Sequence, residues 1–190
     1  MGSVPPSTRP SAGVRYYEEV DDFHQLHRTP RDGTFPREIG ASEISARRAL
    51  ARCRVTMALA TTASVAANTI NKGDVLATAR FAGIQAAKQA STLLPMAHQV
   101  LVGNVYVNFT IADTHIEVEV SVDTVDRTGV EMEALTAAMV AALTIYDMCK
   151  SADRTMTIEN VALWEKSGGR SGTWRRPGNS EVSLDDGARL

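Results

Sequence analysis

The sequence predicts an α+β fold, in which an antiparallel sheet carries helices packed on one of its faces. Residues 105–111 and 116–123 alternate apolar with polar side chains, which is the period of a half-buried strand. Residues 74–94 and 130–150 instead repeat apolar side chains every three or four positions, which is the period of a helix. The predicted order is helix, helix, strand, strand, helix, strand, and a strand hairpin among helices is typical of α+β proteins.

The N-terminal residues, 1–37, are predicted to form a flexible arm because their composition suits no packed core. His24 and His27 lie in this arm, and two neighbouring histidines are too few for a metal site, so a solvated loop is the preferred interpretation. We expect the folded domain at residues 38–174 and a polar C-terminal tail at residues 175–190. The arm contains five of the prolines: Pro5, Pro6, Pro10, Pro30 and Pro36.

Two helices are predicted after the arm. Ser42 or Ser45 can cap a first helix through the segment rich in Ala and Arg to about Ala60. A second helix is predicted at residues 74–94, and Pro95 ends it. One face of this second helix is built of small and apolar residues, which predicts a close approach to another helix or to the sheet: Leu76, Ala79, Gly83, Ala86, Ala87, Ala90 and Leu94.

A hairpin, a helix and a last strand complete the predicted domain. The two alternating segments are separated by a short turn at residues 112–114, so they form an antiparallel pair with one solvated face. A last strand near residues 158–165 leads into Gly168 and Gly169. The helix between them, residues 130–150, is expected to bury one apolar stripe: Leu135, Met139, Ala142, Leu143 and Tyr146.

The bulk composition excludes several classes of protein. The net charge of -2 and the pI of about 6.1 argue against a nucleic-acid partner or an anionic membrane surface recognised through bulk charge. No apolar run is expected to reach the roughly 20 residues that span a bilayer. The two cysteines, Cys53 and Cys149, are too few for a disulfide framework, so we expect a reducing cytoplasmic location. Cys149 is interpreted as a small buried hydrophobe.

The helix at residues 130–150 has charged side chains at both ends. Glu131 and Glu133 lie in its first turn, and Asp147 and Lys150 lie near its end. A core helix does not need this arrangement, whereas a site for an anionic substrate worked by acid and base groups does. The simpler interpretations are stabilisation of the helix dipole by the glutamates and a surface ion pair between Asp147 and Lys150.

Three further positions are candidates for chemistry. Lys72 precedes a predicted helix N-terminus, where an anion is favoured, and its alternative is a solvated lysine beside a cap. His98 is suited to proton transfer, although a lone histidine is more often structural. The segment 166–172 places Lys166 and Arg170 on a backbone rich in glycine, which suits a phosphate but is also found in plain polar loops.

Taken in order, these segments closely resemble the cyclic pyranopterin monophosphate synthase family of molybdenum cofactor biosynthesis (MoaC). The resemblance covers about residues 38–173, and its most specific part is the block 128–150. The other segments that carry it are Lys72-Gly73-Asp74-Val75, Ala77-Thr78-Ala79-Arg80, residues 82–88 and Lys166-Ser167-Gly168-Gly169.

The resemblance implies a ferredoxin-like subunit in a homohexamer, a trimer of dimers, with active sites between subunits. It implies a lyase that converts the GTP-derived 3′,8-cyclo-7,8-dihydro-GTP to the pterin cyclic pyranopterin monophosphate, with release of pyrophosphate. No cofactor is required by this chemistry, and Mg²⁺ can accompany the triphosphate; no metal site is expected. The partners are therefore a small nucleotide and copies of the chain, with no nucleic acid and no membrane.

Carried over by motif, the resemblance implies two sets of site residues. Lys72, Asp147 and Lys150 are the catalytic group: the lysines would transfer protons, and Asp147 would orient or tune Lys150. The substrate-binding group, in which Lys166 would hold phosphate, is His98, Glu131, Met132, Glu133, Lys166 and Arg170.

Two departures from the family pattern bear on specificity. The family usually has Cys-His-Pro around the histidine, whereas this chain has Ala97-His98-Gln99, and Arg170 replaces a usual lysine. Two alternatives to cofactor synthesis therefore stay open. One is a relative that acts on a similar radical-enzyme nucleotide product in another pathway. The other is an inactive homologue that only binds nucleotide or a partner, which the retention of His98 and of the three lysines disfavours.

Overall fold

The computed structural model describes residues 42–177, so the predicted arm at residues 1–37, with His24 and His27, and most of the predicted tail lie outside the described residues. The described part contains five strands and four helices. In chain order they are β1 (Ser45–Thr56), α1 (Leu59–Ala66), α2 (Val75–Ala87), α3 (Ala90–Leu93), β2 (Val105–Ile111), β3 (His115–Asp126), α4 (Glu131–Cys149), β4 (Thr157–Ser167) and β5 (Trp174–Arg175).

The strands form one antiparallel sheet in the order β2-β3-β1-β4-β5. The helices α2 and α4 pack against each other, and α4 packs on β1, β3 and β4. Without the short edge strand, the connectivity is the β-α-β-β-α-β of a ferredoxin-like subunit. The predicted α+β class, with helices on one face of an antiparallel sheet, is confirmed.

The predicted first helix is wrong: residues 45–56 form the central strand β1, and the helix α1 begins only at Leu59. β1 has a period of two. Its inward side chains are buried in the core, and its arginines lie on the opposite face: Ala49, Ala51, Cys53 and Val55 inward, Arg48, Arg52 and Arg54 outward. Hydrogen bonding to β3 on one side and β4 on the other outweighs the local helix preference of Ala and Arg.

The predicted hairpin is confirmed as β2 and β3. Ile111 lies opposite Ile116, and the Ala112 N–H donates to the carbonyl of His115 across the predicted turn. The polar face of β3 meets the arginines of β1 in direct cross-strand pairs. Arg52 contacts Glu119 at 2.6 Å and Arg54 contacts Glu117 at 2.5 Å, so each outward arginine finds its charge partner through the register.

The predicted helix at residues 74–94 is present but interrupted. The Asp74 carboxylate caps α2 by accepting from the Ala77 N–H at 2.9 Å, and α2 ends at Ala87 before the single turn of α3. The predicted close approach is confirmed at Gly83. A Cβ on this glycine would lie 3.2 Å from the Ala137 carbonyl oxygen of α4, so a side chain would push the helices apart.

The helix α4 is confirmed, but the stripe predicted to be buried is only partly right: Ala142 is buried, and Leu135 and Tyr146 are partly buried against the core. Met139 and Leu143 are 43 % and 57 % exposed. The buried face is made of smaller residues because α4 lies close to the sheet, where the Cys53 thiol donates to the Ala138 carbonyl oxygen at 3.3 Å. The apolar residues of this face are Ala134, Ala137, Ala138, Ala141, Ala142, Ile145, Met148 and Cys149.

By length and mean hydropathy, α4 would be able to cross a membrane, contrary to the expectation that no segment would. More than half of it is buried inside the fold, as in the core helix of a globular protein.

Both cysteines are buried, as predicted for Cys149. Burial raises the pKa of the Cys53 thiol to about 12 and also raises that of Cys149, so neither is an activated thiolate.

Candidate functional site

The three residues expected to be catalytic lie in one cluster at the C-terminal end of α4. Asp147 is on the last turn, and Lys150 is the residue that caps the helix. Lys72 comes from the loop before α2, 75 positions earlier in the chain. Its Nζ lies 3.0 Å from Asp147 Oδ2 and 2.8 Å from the Asp147 carbonyl oxygen, and Lys150 Nζ lies 2.7 Å from Asp147 Oδ1.

The cluster carries a net positive charge and is open to solvent. Hydrogen bonds from Lys150 and then Lys72 hold the pKa of the Asp147 carboxyl below its usual range, so Asp147 is an anion between two ammonium groups. All three side chains are about half exposed. The arrangement leaves ammonium N–H groups free to meet an anionic ligand. A surface pair of Asp147 and Lys150 alone would not explain why Lys72 joins the same carboxylate.

A cavity of about 410 Å³ lies at the opposite, N-terminal end of α4. It brings together four of the residues expected to bind substrate, together with Ala97, the position at which the family motif is altered. The lining residues are Met96, Ala97, His98, Val100, Thr128, Gly129, Glu131, Met132, Glu133 and Leu163.

The two glutamates in this cavity differ in environment. Glu133 is only 3 % exposed, and burial raises its pKa, with a further increase from the nearby Glu131 and an opposing backbone hydrogen bond. The carboxylate of Glu131 lies over Gly129, where any Cβ would overlap it. The pair therefore supplies one carboxyl group biased towards its protonated form beside a second, more exposed one.

Lys166 and Arg170 lie at the same end of the sheet as this cavity. Lys166 is paired with Ala49 near the start of β1, and the start of β1 is paired with the end of β3, which leads into α4. The ammonium of Lys166 donates to the hydroxyl of Ser171. Arg170 lines a neighbouring cavity of about 400 Å³ with Glu43, Ser45, Arg47 and Gly169.

One chain does not bring the two groups together. Asp147 follows Glu131 by 16 positions on one continuous helix, which is about 24 Å at 1.5 Å per residue. The cluster of Lys72, Asp147 and Lys150 and the cavity are thus at opposite ends of α4. Of the expected site residues that do not line the cavity, only Lys166 and Arg170 lie at the same end of the sheet as the cavity.

Several residues of the site region were not among those expected from the sequence. Leu163 reaches the cavity from β4, and Thr128 and Gly129 reach it from the turn before α4. Arg47 lies beside the glycine loop, residues 166–172. Its own segment was predicted to be helical, so no sequence signal associated it with the site. Within residues 42–177, no group of three or more His, Cys, Asp or Glu side chains is placed to hold a metal ion.

Comparison with known proteins places the sequence of this chain in a family. A model described as the MoaC family matches residues 37–169. The cyclic pyranopterin monophosphate synthase of Thermomicrobium roseum is 54% identical over 130 residues, which are 67% of this chain and 78% of that protein. The synthases of Chloroflexus aggregans and Clostridium acetobutylicum are 49% and 43% identical, over 73% and 74% of this chain and 86% and 89% of their own lengths.

Proposed function

This chain belongs to the MoaC family, and we propose that it is a cyclic pyranopterin monophosphate synthase of molybdenum cofactor biosynthesis. In this proposal it is a lyase that converts 3′,8-cyclo-7,8-dihydro-GTP to cyclic pyranopterin monophosphate and releases pyrophosphate. The observation that supports it best is the convergence of Lys72 and Lys150 on Asp147, because opening a purine ring and forming a pterin needs several proton transfers.

The catalytic cluster suits proton transfer to and from an anionic substrate. Asp147 holds the ammonium groups of Lys72 and Lys150 close together, since each binds one oxygen of its carboxylate. Bringing positioned donors to one substrate converts encounters in solution into a step within a complex. In our proposal the two lysines exchange protons with the ring system, and Asp147 fixes their orientation.

The residues at the other end of α4 suit substrate binding. Glu133, with its raised pKa, can donate a hydrogen bond when protonated, and His98 offers a second polar contact in the same cavity. Met132 gives an apolar surface beside them. We propose that Lys166 and Arg170 bind the phosphates, since Lys supplies a compact charge and Arg a planar pair of donors. Mg²⁺ can accompany the triphosphate, which titration of turnover with EDTA would test.

We propose further that the active site is completed by a second copy of the chain. The two groups are about 24 Å apart in one subunit, which is too far for a single nucleotide to bridge both. Met139 lies midway between Glu131 and Asp147, and it is exposed together with Leu143 on the outer face of α4. A two-fold axis near Met139 would place two α4 helices antiparallel, with each catalytic cluster opposite the partner's cavity.

The family likeness favours three such dimers in a homohexamer. Light scattering should then give a mass near six times 20.5 kDa. An active monomer would contradict the shared site. We also propose a cytoplasmic location, which the two buried, unpaired cysteines support.

The direct test of function is mass spectrometry of a reaction with purified 3′,8-cyclo-7,8-dihydro-GTP. We expect cyclic pyranopterin monophosphate and pyrophosphate in equal amounts. Ala97 lines the cavity, so its replacement of the usual cysteine could alter the product. Binding of this compound without that product, by a folded protein, would favour a relative that acts on a similar nucleotide. Binding with no turnover of any cyclised nucleotide would favour the inactive homologue.

A further inference from the structure

We infer that Arg47 is a positioning residue that holds the glycine loop, residues 166–172, at a fixed place relative to the cavity lined by Glu131 and Glu133. The inference rests on the proposed function for the roles of Lys166, Arg170 and the glutamates. Arg47 itself is on β1, and its side chain shares the helix-covered face of the sheet with Ala49. It is half-buried and has no part in the proposed proton transfers.

The guanidinium of Arg47 binds backbone rather than another charged side chain. Its Nε donates to the Asp126 carbonyl oxygen at 3.3 Å, and Nη2 donates to the Arg127 carbonyl oxygen at 3.0 Å. Nη2 also lies 3.4 Å from the Glu43 carbonyl oxygen. Two of these three carbonyls lie at the last residue of β3 and at the first residue of the turn into α4, so Arg47 fixes the start of the segment that carries Glu131.

The third donor atom, Nη1, lies against the glycine loop. Gly169 has a φ of +71°, and a Cβ at this position would overlap Arg47 Nη1. Gly168 has a φ of +92°. A Cβ added to it would overlap the Ala46 carbonyl oxygen and would lie 3.1 Å from Arg47 Cδ. The absence of side chains at both glycines therefore lets the loop between Lys166 and Arg170 close onto the guanidinium.

The same turn is tied to the segment that carries His98. Asp126 Oδ2 lies 3.4 Å from the Leu101 N–H, and the Thr124 hydroxyl donates to the Leu101 carbonyl oxygen at 2.5 Å. The end of β3 thus connects three segments that supply substrate-binding residues. Arg47 is the side chain that joins the glycine loop to this connection, and a shift of its guanidinium would move Lys166 relative to Glu131 and Glu133.

Hydrogen exchange tests the connection without substrate. Arg47→Gln and Gly169→Ala should each speed amide exchange about tenfold in two places, residues 167–172 and residues 126–130, because both lose the shared contact. Gly172→Ala is the matched control: Gly172 has a φ of +59° but nothing within 4 Å of its ideal Cβ, so it adds similar strain without touching Arg47. It should affect only residues 167–172. Faster exchange at one place alone in Arg47→Gln would overturn the inference.

Kinetics test the consequence. Arg47→Gln should lower kcat by about tenfold to a hundredfold, since a misplacement of about 1 Å can have this effect. Arg47→Lys should not restore it, because one ammonium cannot replace the contacts of the guanidinium. Arg54→Gln, which removes a surface pair with Glu117 on the other face of β1, should leave kcat and KM unchanged.

A cycle with the double variant Lys166→Ala/Arg170→Ala separates positioning from direct contact. If Arg47 acts through the loop, Arg47→Gln should add less than twofold to the loss already caused by removing both loop cations. Additive losses, an effect on KM alone, or full rescue by Arg47→Lys would each indicate that Arg47 contacts phosphate itself and would overturn positioning. Failure of the wild type to convert the cyclised nucleotide would contradict the proposed function, whereas the exchange measurement would still decide the connection.

Discussion

Glu133 is a carboxyl group held almost out of water in the first turn of α4, where a helix N-terminus would ordinarily stabilise its anion. Burial is the larger effect and raises its pKa. The unfolded chain ionises this group more readily than the folded protein does, so stability falls as the pH rises above about 4.3, the ordinary pKa of Glu, and through the raised pKa of the folded state. Such a cost is typical of groups kept for function.

Glu133→Gln should therefore stabilise the protein relative to wild type at pH 7 and by less at pH 4. The amide keeps the shape of the side chain but has no charge to bury. Urea unfolding at the two pH values measures the difference, and product formation should fall in the same variant. A stabilisation that is equal at both pH values would show that ionisation of Glu133 carries no cost.

Lys72 and Lys150, which we propose to be catalytic, have no role in the core, so their loss should affect chemistry alone. Lys72→Ala and Lys150→Ala should each lower kcat/KM by about 10²- to 10³-fold, the usual effect of removing one group that stabilises a transition state. Lys88→Ala, which removes an exposed lysine just after α2, is the matched control. Circular dichroism should show all three variants folded. Turnover near the wild-type rate would remove that lysine from the mechanism.

At the scale of elements, Asp153 joins two connections that are far apart in the chain. Its Oδ2 accepts from the Ala58 N–H at 2.8 Å, at the start of α1, and its Oδ1 accepts from the Thr155 N–H and hydroxyl at 2.8 and 2.7 Å. These bonds, the one from Ala58 first, lower the pKa of Asp153. The carboxylate thus stabilises both the entry to α1 and the loop between α4 and β4.

Asp153→Ala should destabilise the protein by about 2 kcal/mol, because it removes three hydrogen bonds to one charged acceptor. The sign of the pH dependence follows from the lowered pKa: the stabilisation is present above the ordinary pKa of Asp and is lost as the pH falls through the folded value. Thermal unfolding of wild type and variant should therefore converge towards low pH. A constant difference at all pH values would contradict a role for the ionised form.

At the scale of the whole molecule, mixing inactive variants tests the shared site. Lys72 and Lys150 contact the same Asp147 within one chain. A mixture of Lys72→Ala and Lys150→Ala subunits should therefore stay inactive, since both sites of every dimer contain a defective cluster. A mixture of Lys72→Ala with Glu131→Ala should recover about a quarter of the wild-type activity, because random pairing gives one intact site in half of the dimers.

The two mixtures are controls for each other. They should be made by denaturing and refolding the variants together, with each variant alone treated in the same way. Recovery in the first mixture and not in the second would assign the two lysines of one site to different subunits. Equal absence of recovery in both, from assemblies of the expected mass, would contradict a site divided between the two ends of α4.

The sequence predicted the elements whose period was clear and failed where two signals conflicted. The hairpin of β2 and β3 alternates strictly and was found, whereas β1 was assigned to a helix because Ala and Arg favour helices locally. The error hid Arg47, whose partners are carbonyls about 80 positions away. On α4 the large apolar residues Met139 and Leu143 were assigned to the core, although the core admits mainly small residues there.

By itself the sequence determined the α+β class, the family likeness and the chemical types of the expected site residues, because these follow from side-chain period and from motifs in adjacent positions. Only the tertiary structure decided which of those residues meet. Lys72 reaches Asp147 because α2 packs along α4, and Glu131 lies about 24 Å from Asp147 because a continuous helix holds its ends apart. Distances between segments depend on packing and register, and no local pattern in the chain encodes them.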